Sequence, residues 1–278
     1  MLKPSRSKTS LRPLAPLLLP LIFAIANGHL TPLPSIALEM IRPLSADRPD
    51  ATESAYSVPQ GMFQIESSAL TFSRNDHNGT RTDTWAVAES NLKYGLTHNT
   101  DLQLVVLPWL SQRETTAGSV TEHDGFGGLQ FRTKINLWGN DSGPTAFALL
   151  PYVTFPIQSD VDTTTGEWEG GLITPFSWSI TDRLGYGMQV ELARFYDDDF
   201  GHLWGFAYTA VLSYAVTDSL GVFVEYAGFT SKLPYEHFIN TGATYLVNDD
   251  FQLDAGLAVG LNEHTDDLTT FAGFTLRF

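Results

Sequence analysis

The 278-residue chain carries 31 acidic residues against 16 lysines and arginines, a net charge of -15, and no cysteine. That balance excludes a nucleic-acid binder, which needs a basic face, and the lack of cysteine excludes a disulfide framework and thiolate metal sites. Mean hydropathy is -0.06. No apolar run after residue 26 nears the roughly 18 residues of a membrane helix. A membrane-spanning form of this chain therefore has to be a closed barrel, whose strands satisfy one another's backbone groups.

Residues 1–26 read as a secretory signal peptide. Lys3, Arg6, Lys8 and Arg12 precede the apolar run Leu14–Ala24, and Ala24-Ile25-Ala26 has the small-x-small form of a cleavage site. Pro16 and Pro20 interrupt the run, which argues against a permanent membrane helix. Removing these residues leaves 12 basic against 31 acidic residues. Residues 27–60 are read as a periplasmic tail or plug ahead of a barrel over 61–278.

Within that tail, Asp47-Arg48-Pro49-Asp50, then Thr52-Glu53-Ser54, then Val58-Pro59-x-Gly61 and Gln64-x-Glu66 form a distinctive run. It resembles the opening segment of a bacterial outer-membrane family of phenol-degradation (meta-pathway) proteins, often simply called transporters. The resemblance implies a β-barrel in the outer membrane of a Gram-negative bacterium, with hydrophobic or aromatic compounds as the suggested cargo. Read physically, the run is polar, and its prolines exclude helix and central strand. Two readings stand: a plug at the periplasmic mouth, or a structural lead-in to the first strand. The lead-in is the simpler, because termini usually only connect.

From residue 60 the chain alternates strand and turn. The clearest strand is 129–137, where Leu129, Phe131, Ile135 and Leu137 oppose Gln130, Arg132, Lys134 and Asn136. Residues 84–96 set Ala86, Ala88, Leu92, Tyr94 and Leu96 against Glu89, Asn91 and Lys93. Residues 184–193 set Leu184, Tyr186, Met188, Val190 and Leu192 against Gln189 and Glu191, and 251–262 repeat the theme around Asp254. Further strands are expected near 62–73, 101–110, 145–155, 171–181, 203–216, 220–229 and 237–247. In 62–73 the parity slips after Glu66, which suggests a bulge. In 101–110 apolar residues occupy both parities.

The last strand, 267–278, places Leu268, Thr270, Ala272, Phe274, Leu276 and Phe278 on one parity, with Phe271 the exception on the other. A closing strand that ends in Phe278 resembles the C-terminus of outer-membrane barrels, which their assembly machinery reads. The expected fold is thus an all-β, antiparallel up-and-down transmembrane barrel of twelve strands, an even number as single-chain bacterial barrels have.

Connection lengths support it. The turns Thr97–Thr100, Gly139–Pro144, Thr181–Arg183, Thr217–Ser219 and Asn248–Asp250 are short clusters of turn formers. The alternate connections 74–83, 111–124, 156–167, 196–202, 230–236 and 263–267 are mostly longer. A soluble sandwich has no reason to alternate in this way; a barrel has short periplasmic turns and longer outer loops. Tyr94, Tyr186, Tyr214 and Phe278 fall on lipid-facing parity near one rim and Trp204 near the other.

No catalytic motif is expected. Gly125-Phe-Gly-Gly128 has no helix behind it to bind phosphate. Neither Gly-x-Ser-x-Gly nor His-Glu-x-x-His occurs. Outer-membrane phospholipases place Ser, His and Asn on the lipid-facing wall, and no histidine here falls mid-strand on that face. Asp197-Asp198-Asp199 with His202 reads as a solvated acidic loop rather than a cation site. No cofactor and no metal are expected.

The candidate pore-lining residues are Glu66, Glu89, Lys93, Gln130, Arg132, Lys134, Gln189, Glu191, Glu225, Asp254 and Arg277. Charges on a pore wall tune which solutes pass; the bland alternative is that they pair and close the lumen. Two functions follow. One is a channel for small molecules, and the other is a non-transporting structural or surface-binding barrel acting through its acidic outer loops. The expected partners are outer-membrane lipid, lipopolysaccharide, the assembly machinery and a small-molecule solute.

Overall fold

The computed structural model describes residues 41–161 and 165–278; the signal-peptide reading and most of the tail ahead of Arg42 lie outside them. The strands are β1 Phe63–His77, β2 Thr80–Thr97, β3 Thr100–Leu107, β4 Trp109–Thr116, β5 Ser119–Gly125, β6 Gly128–Trp138 and β7 Thr145–Thr154. They continue with β8 Glu169–Ser179, β9 Leu184–Asp197, β10 Gly201–Ala215, β11 Leu220–Thr230, β12 Glu236–Asn248, β13 Phe251–Gly260 and β14 Leu268–Arg277.

Every pairing is antiparallel, and neighbours in sequence are neighbours in the sheet apart from one branch. β1 pairs with β2 on one side and β14 on the other, so the sheet closes. The branch arises because two walls are each broken. Pro108 separates β3 from β4, and both pair with the long β2. Phe126 and Gly127 separate β5 from β6. The result is a closed antiparallel barrel of twelve strands.

The outer connection expected at 111–124 is therefore a hairpin, β4–β5, folded back on the upper half of β2. The break at Pro108 also explains why apolar residues in 101–110 occupied both parities. Proline gives no ladder donor, and the pattern restarts beyond it.

Alternation then fixes which side chains point in. Leu104, Phe131, Leu192, Val224, Leu257 and Leu276 are exposed on the outer surface, as lipid requires. On the opposite parity of the same strands, Gln103, Lys134, Gln189, Glu225, Asp254 and Arg277 are buried in the interior. The expected slip in the first strand is a paired irregularity. Ala69 drops out of the ladders with β14 and β2, and Ala88 opposite it has φ 57°. Above that bulge the parity of β2 reverses, because an extra residue turns every later side chain to the other face. Trp85 and Val87 therefore point outward and Ala86 inward, correcting the single unbroken face expected for 84–96. Phe271, the exception in the last strand, faces the lumen and packs over Gly256, where a Cβ would meet its ring.

The chain closes on itself at Phe278. Its N–H donates to the Phe63 carbonyl at 2.9 Å, and the Phe63 N–H donates back to the Phe278 carbonyl at 2.8 Å. The two rings stack with centroids 5.9 Å apart, and Tyr94 packs on Phe63 at 4.7 Å.

Candidate functional site

The lumen is occupied by the chain's own segment 42–60. It enters at the end that carries the short turns, where Arg42 donates to Asp141 at 3.0 Å and to the His98 and Ser57 carbonyls. Burial pushes the Asp141 carboxyl up, but hydrogen bonds from Arg42 and His98 hold it below the ordinary aspartate range.

Deeper in, Asp47 is the centre of a buried cluster. Its carboxylate takes Lys134 Nζ at 2.5 Å and the Lys93 ammonium, which also contacts Glu66. The Asp47 N–H donates to Glu66 at 2.9 Å. Arg48 reaches across to Asp254 by two nitrogens, at 2.6 and 3.2 Å, and also meets Ser68. Each charge is desolvated, so each needs a partner of good geometry to offset that cost.

The segment then turns back. Pro49, Asp50 and Ala51 form its apex. The Ala51 N–H donates to Glu225 at 2.8 Å, and Thr52 joins Glu225 at 2.5 Å and Thr209 at 2.6 Å. The Glu53 N–H donates to Gln189, and its carboxylate takes Arg132 at 2.6 Å. Ser54 ties the returning limb to Ser45 at 2.6 Å. Ala55 packs against Ala146 and Ala148 of β7. Ser57 and Val58 bond Asn140 and Asp101. Gly61, at φ 81°, turns the chain into β1, and its N–H meets the Gly95 carbonyl at 2.8 Å. Gly95 has to be glycine at this contact, because a Cβ would overlap the Pro59 carbonyl.

Of the candidate lumen residues, Glu66, Lys93, Arg132, Lys134, Gln189, Glu225 and Asp254 all touch this segment. Gln130 bonds Arg132 and Thr154, and Glu191 accepts from Tyr152. Arg277 pairs with Asp250 and caps the Arg42 carbonyl. Glu89, opposite Ser68 in the ladder, is exposed and touches nothing in the segment. The candidate residues left out Asp101, Asn140, Thr209 and Asn240, which also hold or flank the segment, as does Asn136 from the polar face of 129–137. Their signal was present, since each is a polar residue on inward parity or in a turn. The acidic loop resolves as turn chemistry: Asp197 accepts from the Asp199 and Phe200 N–H groups, and His202 meets the Trp168 carbonyl.

Two chambers flank the apex. The inner one, about 430 Å³, lies below it against Ser177, Ser213, Gly221 and the turn 181–183. The outer one, about 410 Å³, lies above it between Phe238, Asn240, Phe271 and the loop residues His264–Asp266. Pro49 and Asp50 line both.

Residues 46–278 match the family described as "Putative MetA-pathway of phenol degradation". The chain belongs to this family. The match takes in the threaded segment as well as the wall, so both are parts of one family domain. No curated protein matches the chain in sequence. Among solved structures, the NanC porin is similar over 77% of this chain and 98% of its own, with 8% identity and a TM-score of 0.49. The translocator domain of the autotransporter NalP from Neisseria meningitidis is similar over 79% of this chain and 89% of its own, with 11% identity and a TM-score of 0.47. The P. putida toluene transporter TodX is similar over 79% and 89%, with 8% identity and a TM-score of 0.39.

Proposed function

We propose that this family member is an outer-membrane channel for small solutes, in which the segment 42–60 forms a septum between an inner and an outer vestibule. In this reading the short turns and the start of the segment face the periplasm, and the long loops face outward. One observation carries it: the two chambers meet at Pro49 and Asp50 and share no wall residue. The apolar outer surface supports a place in lipid. The polar ties of the segment support a releasable closure, because each freed polar group can exchange its partner for water, which a packed apolar plug cannot do. The family's description supports small aromatic compounds as candidate cargo.

The test is single-channel conductance in planar lipid bilayers. The full chain is expected to be silent or to open in rare brief steps. A variant lacking residues 46–57 is expected to give steady steps. A deletion barrel that folds, resists heat and stays silent would overturn the channel and leave a structural or surface-binding barrel.

A further inference from the structure

We propose that the outward face of β8–β10 binds a phosphorylated glycolipid of the outer leaflet, with its phosphate on Arg194 and an acyl chain in the groove beneath. The proposal takes from the reading above only the direction of the barrel, long loops outward, and does not depend on an open channel. Among the described residues of β6 to β14, Arg194 is the only Asp, Glu, Lys or Arg on the parity that faces lipid. The other charged side chains of these strands lie on the inward parity. A lone cation on the lipid face is costly unless it stands at the interface and finds a partner. Arg194 forms no ion pair among the described residues, and its Nη1 donates to the His202 carbonyl at 2.8 Å. A guanidinium carries five N–H donors, so most of its capacity is free.

Strand register sets what surrounds it. Arg194 lies opposite Gly170 of β8 on one side and Trp204 of β10 on the other. The next rung towards the short turns is Leu172, Leu192 and Phe206, all exposed. Gly170, Leu172, Leu192, Arg194 and Trp204 line a shallow groove of about 370 Å³. Gly170 leaves its floor bare, and a Cβ there would meet the Tyr152 carbonyl. The guanidinium lies over the Trp204 ring, with Cζ 5.4 Å from the centroid, which fixes where the charge stands. Trp204 is itself 59% exposed. Tryptophans gather where acyl chains meet head groups, so this ring puts Arg194 at head-group level and the two leucines at chain level.

Charge and place together choose the occupant. The planar fork of arginine matches two oxygens of one phosphate. Acids near it in sequence are turned away or distant. Glu169, on the inward parity of β8, takes the Tyr196 N–H at 3.0 Å. Asp197, on the inward parity of β9, takes the Asp199 and Phe200 N–H groups. Asp198 and Asp199 stand at the hairpin tip, roughly 13 Å or more from Arg194 at the rise of a strand. That is beyond the reach of exposed charges at physiological salt. A free anion would use the arginine and leave the groove empty, and a neutral lipid would fill the groove and leave the fork unpaired. A phosphorylated lipid satisfies both. The plainer alternative is an arginine that only reaches for water, and it carries no lipid preference.

The experiment is native mass spectrometry of the full-length mature barrel in a neutral detergent. The probes are diphosphoryl lipid A and the same lipid stripped of its phosphates. The phosphorylated lipid is expected to bind at least about tenfold more tightly than the stripped one, the scale of a charge-assisted hydrogen-bond pair. Arg194→Gln is expected to bring the two lipids level. Trp204→Leu keeps the surface apolar and removes the ring under the guanidinium, and it is expected to narrow the gap. Arg113→Gln, at an exposed arginine on the β4–β5 hairpin, should leave the gap unchanged. Equal binding of the two lipids by the parent barrel, or a gap that survives in both groove variants, would overturn the proposal. Displacement of the lipid by inorganic phosphate would reduce the site to a bare anion contact and overturn it too. No conductance enters this readout, so its failure leaves the channel standing, and a silent segment-deleted barrel leaves the lipid site standing.

Discussion

Arg48 and Asp254 lie 206 positions apart in the chain and meet at 2.6 Å inside the lumen, the aspartate side chain fully buried. Removing either partner leaves the other charge buried and unpaired, which costs about 3–5 kcal/mol. Arg48→Ala and Asp254→Ala are each expected to loosen the segment by that order. The double variant is expected to cost clearly less than the two together, because the residues share one interaction. The chain has no cysteine, so Ala51→Cys gives a single thiol at the apex whose labelling rate reports segment release. Additive effects on that rate would show that the pair does not act as a unit.

Gly95 sits where the returning segment presses against β2. Gly95→Ala puts a methyl into the Pro59 carbonyl. The expected cost is about 1–3 kcal/mol, the usual range for overpacking. It should fall on the segment and leave the wall, whose ladder Gly95 joins through its backbone. Raised protease cleavage between residues 42 and 60 with an intact heat-resistant barrel is the expected result. Loss of the barrel itself would place the strain in the wall.

The outer surface offers a test that does not involve the lumen. Leu257 is exposed midway along β13, and Val247 is exposed at the turn end of β12. Leu257→Arg is expected to destabilise the barrel in lipid vesicles by about 2–4 kcal/mol, and Val247→Arg by about 0–1 kcal/mol. Equal costs in denaturant titrations would contradict a bilayer placed across the middle of the strands.

The clasp at the mouth is opened by acid. Asp141 has its carboxyl held low by Arg42 and His98. A lowered folded pKa contributes stability that is present above the unfolded value and is lost as pH falls through the folded one. The clasp should therefore be intact at neutral pH and open only below the ordinary aspartate value of 3.8. Asp141→Asn should remove the pH dependence of protease access at Arg42. A transition near neutrality would point to another group.

The wall was legible in the sequence because most strands repeat a two-residue period and the short turns are marked by Asn, Asp, Gly or Thr. What escaped were the reset at Pro108 and the reach into β2 of the first-strand slip, which was itself expected after Glu66. Pro108 and the Ala69–Ala88 bulge each shift the face on which side chains emerge, and a fixed parity count runs straight through them. The segment's route was harder to read. Asp47 to Gly61 has no period, since each residue answers a different wall strand rather than its own neighbours. Asp47, Arg48 and Glu53 look like solvated charge in sequence, and their partners Lys134, Asp254 and Arg132 lie about 80 to 200 residues away. Strand parity marked the lumen charges; the reason for their mixed sign was hidden, because it is set by the segment they face.

The span of those ties has a consequence for how the molecule is made. Glu66 and Lys93 belong to the first two strands, Arg132 and Lys134 to the middle, and Glu225 and Asp254 to the last part of the wall. A nascent chain offers the segment only a fraction of its sites, and loop-closure entropy opposes every distant one until the wall supplies it. The segment, made before the wall, therefore settles last. A docked segment thus marks a finished cylinder, and a barrel left open between Phe63 and Phe278 would leave residues 42–60 without their full set of partners.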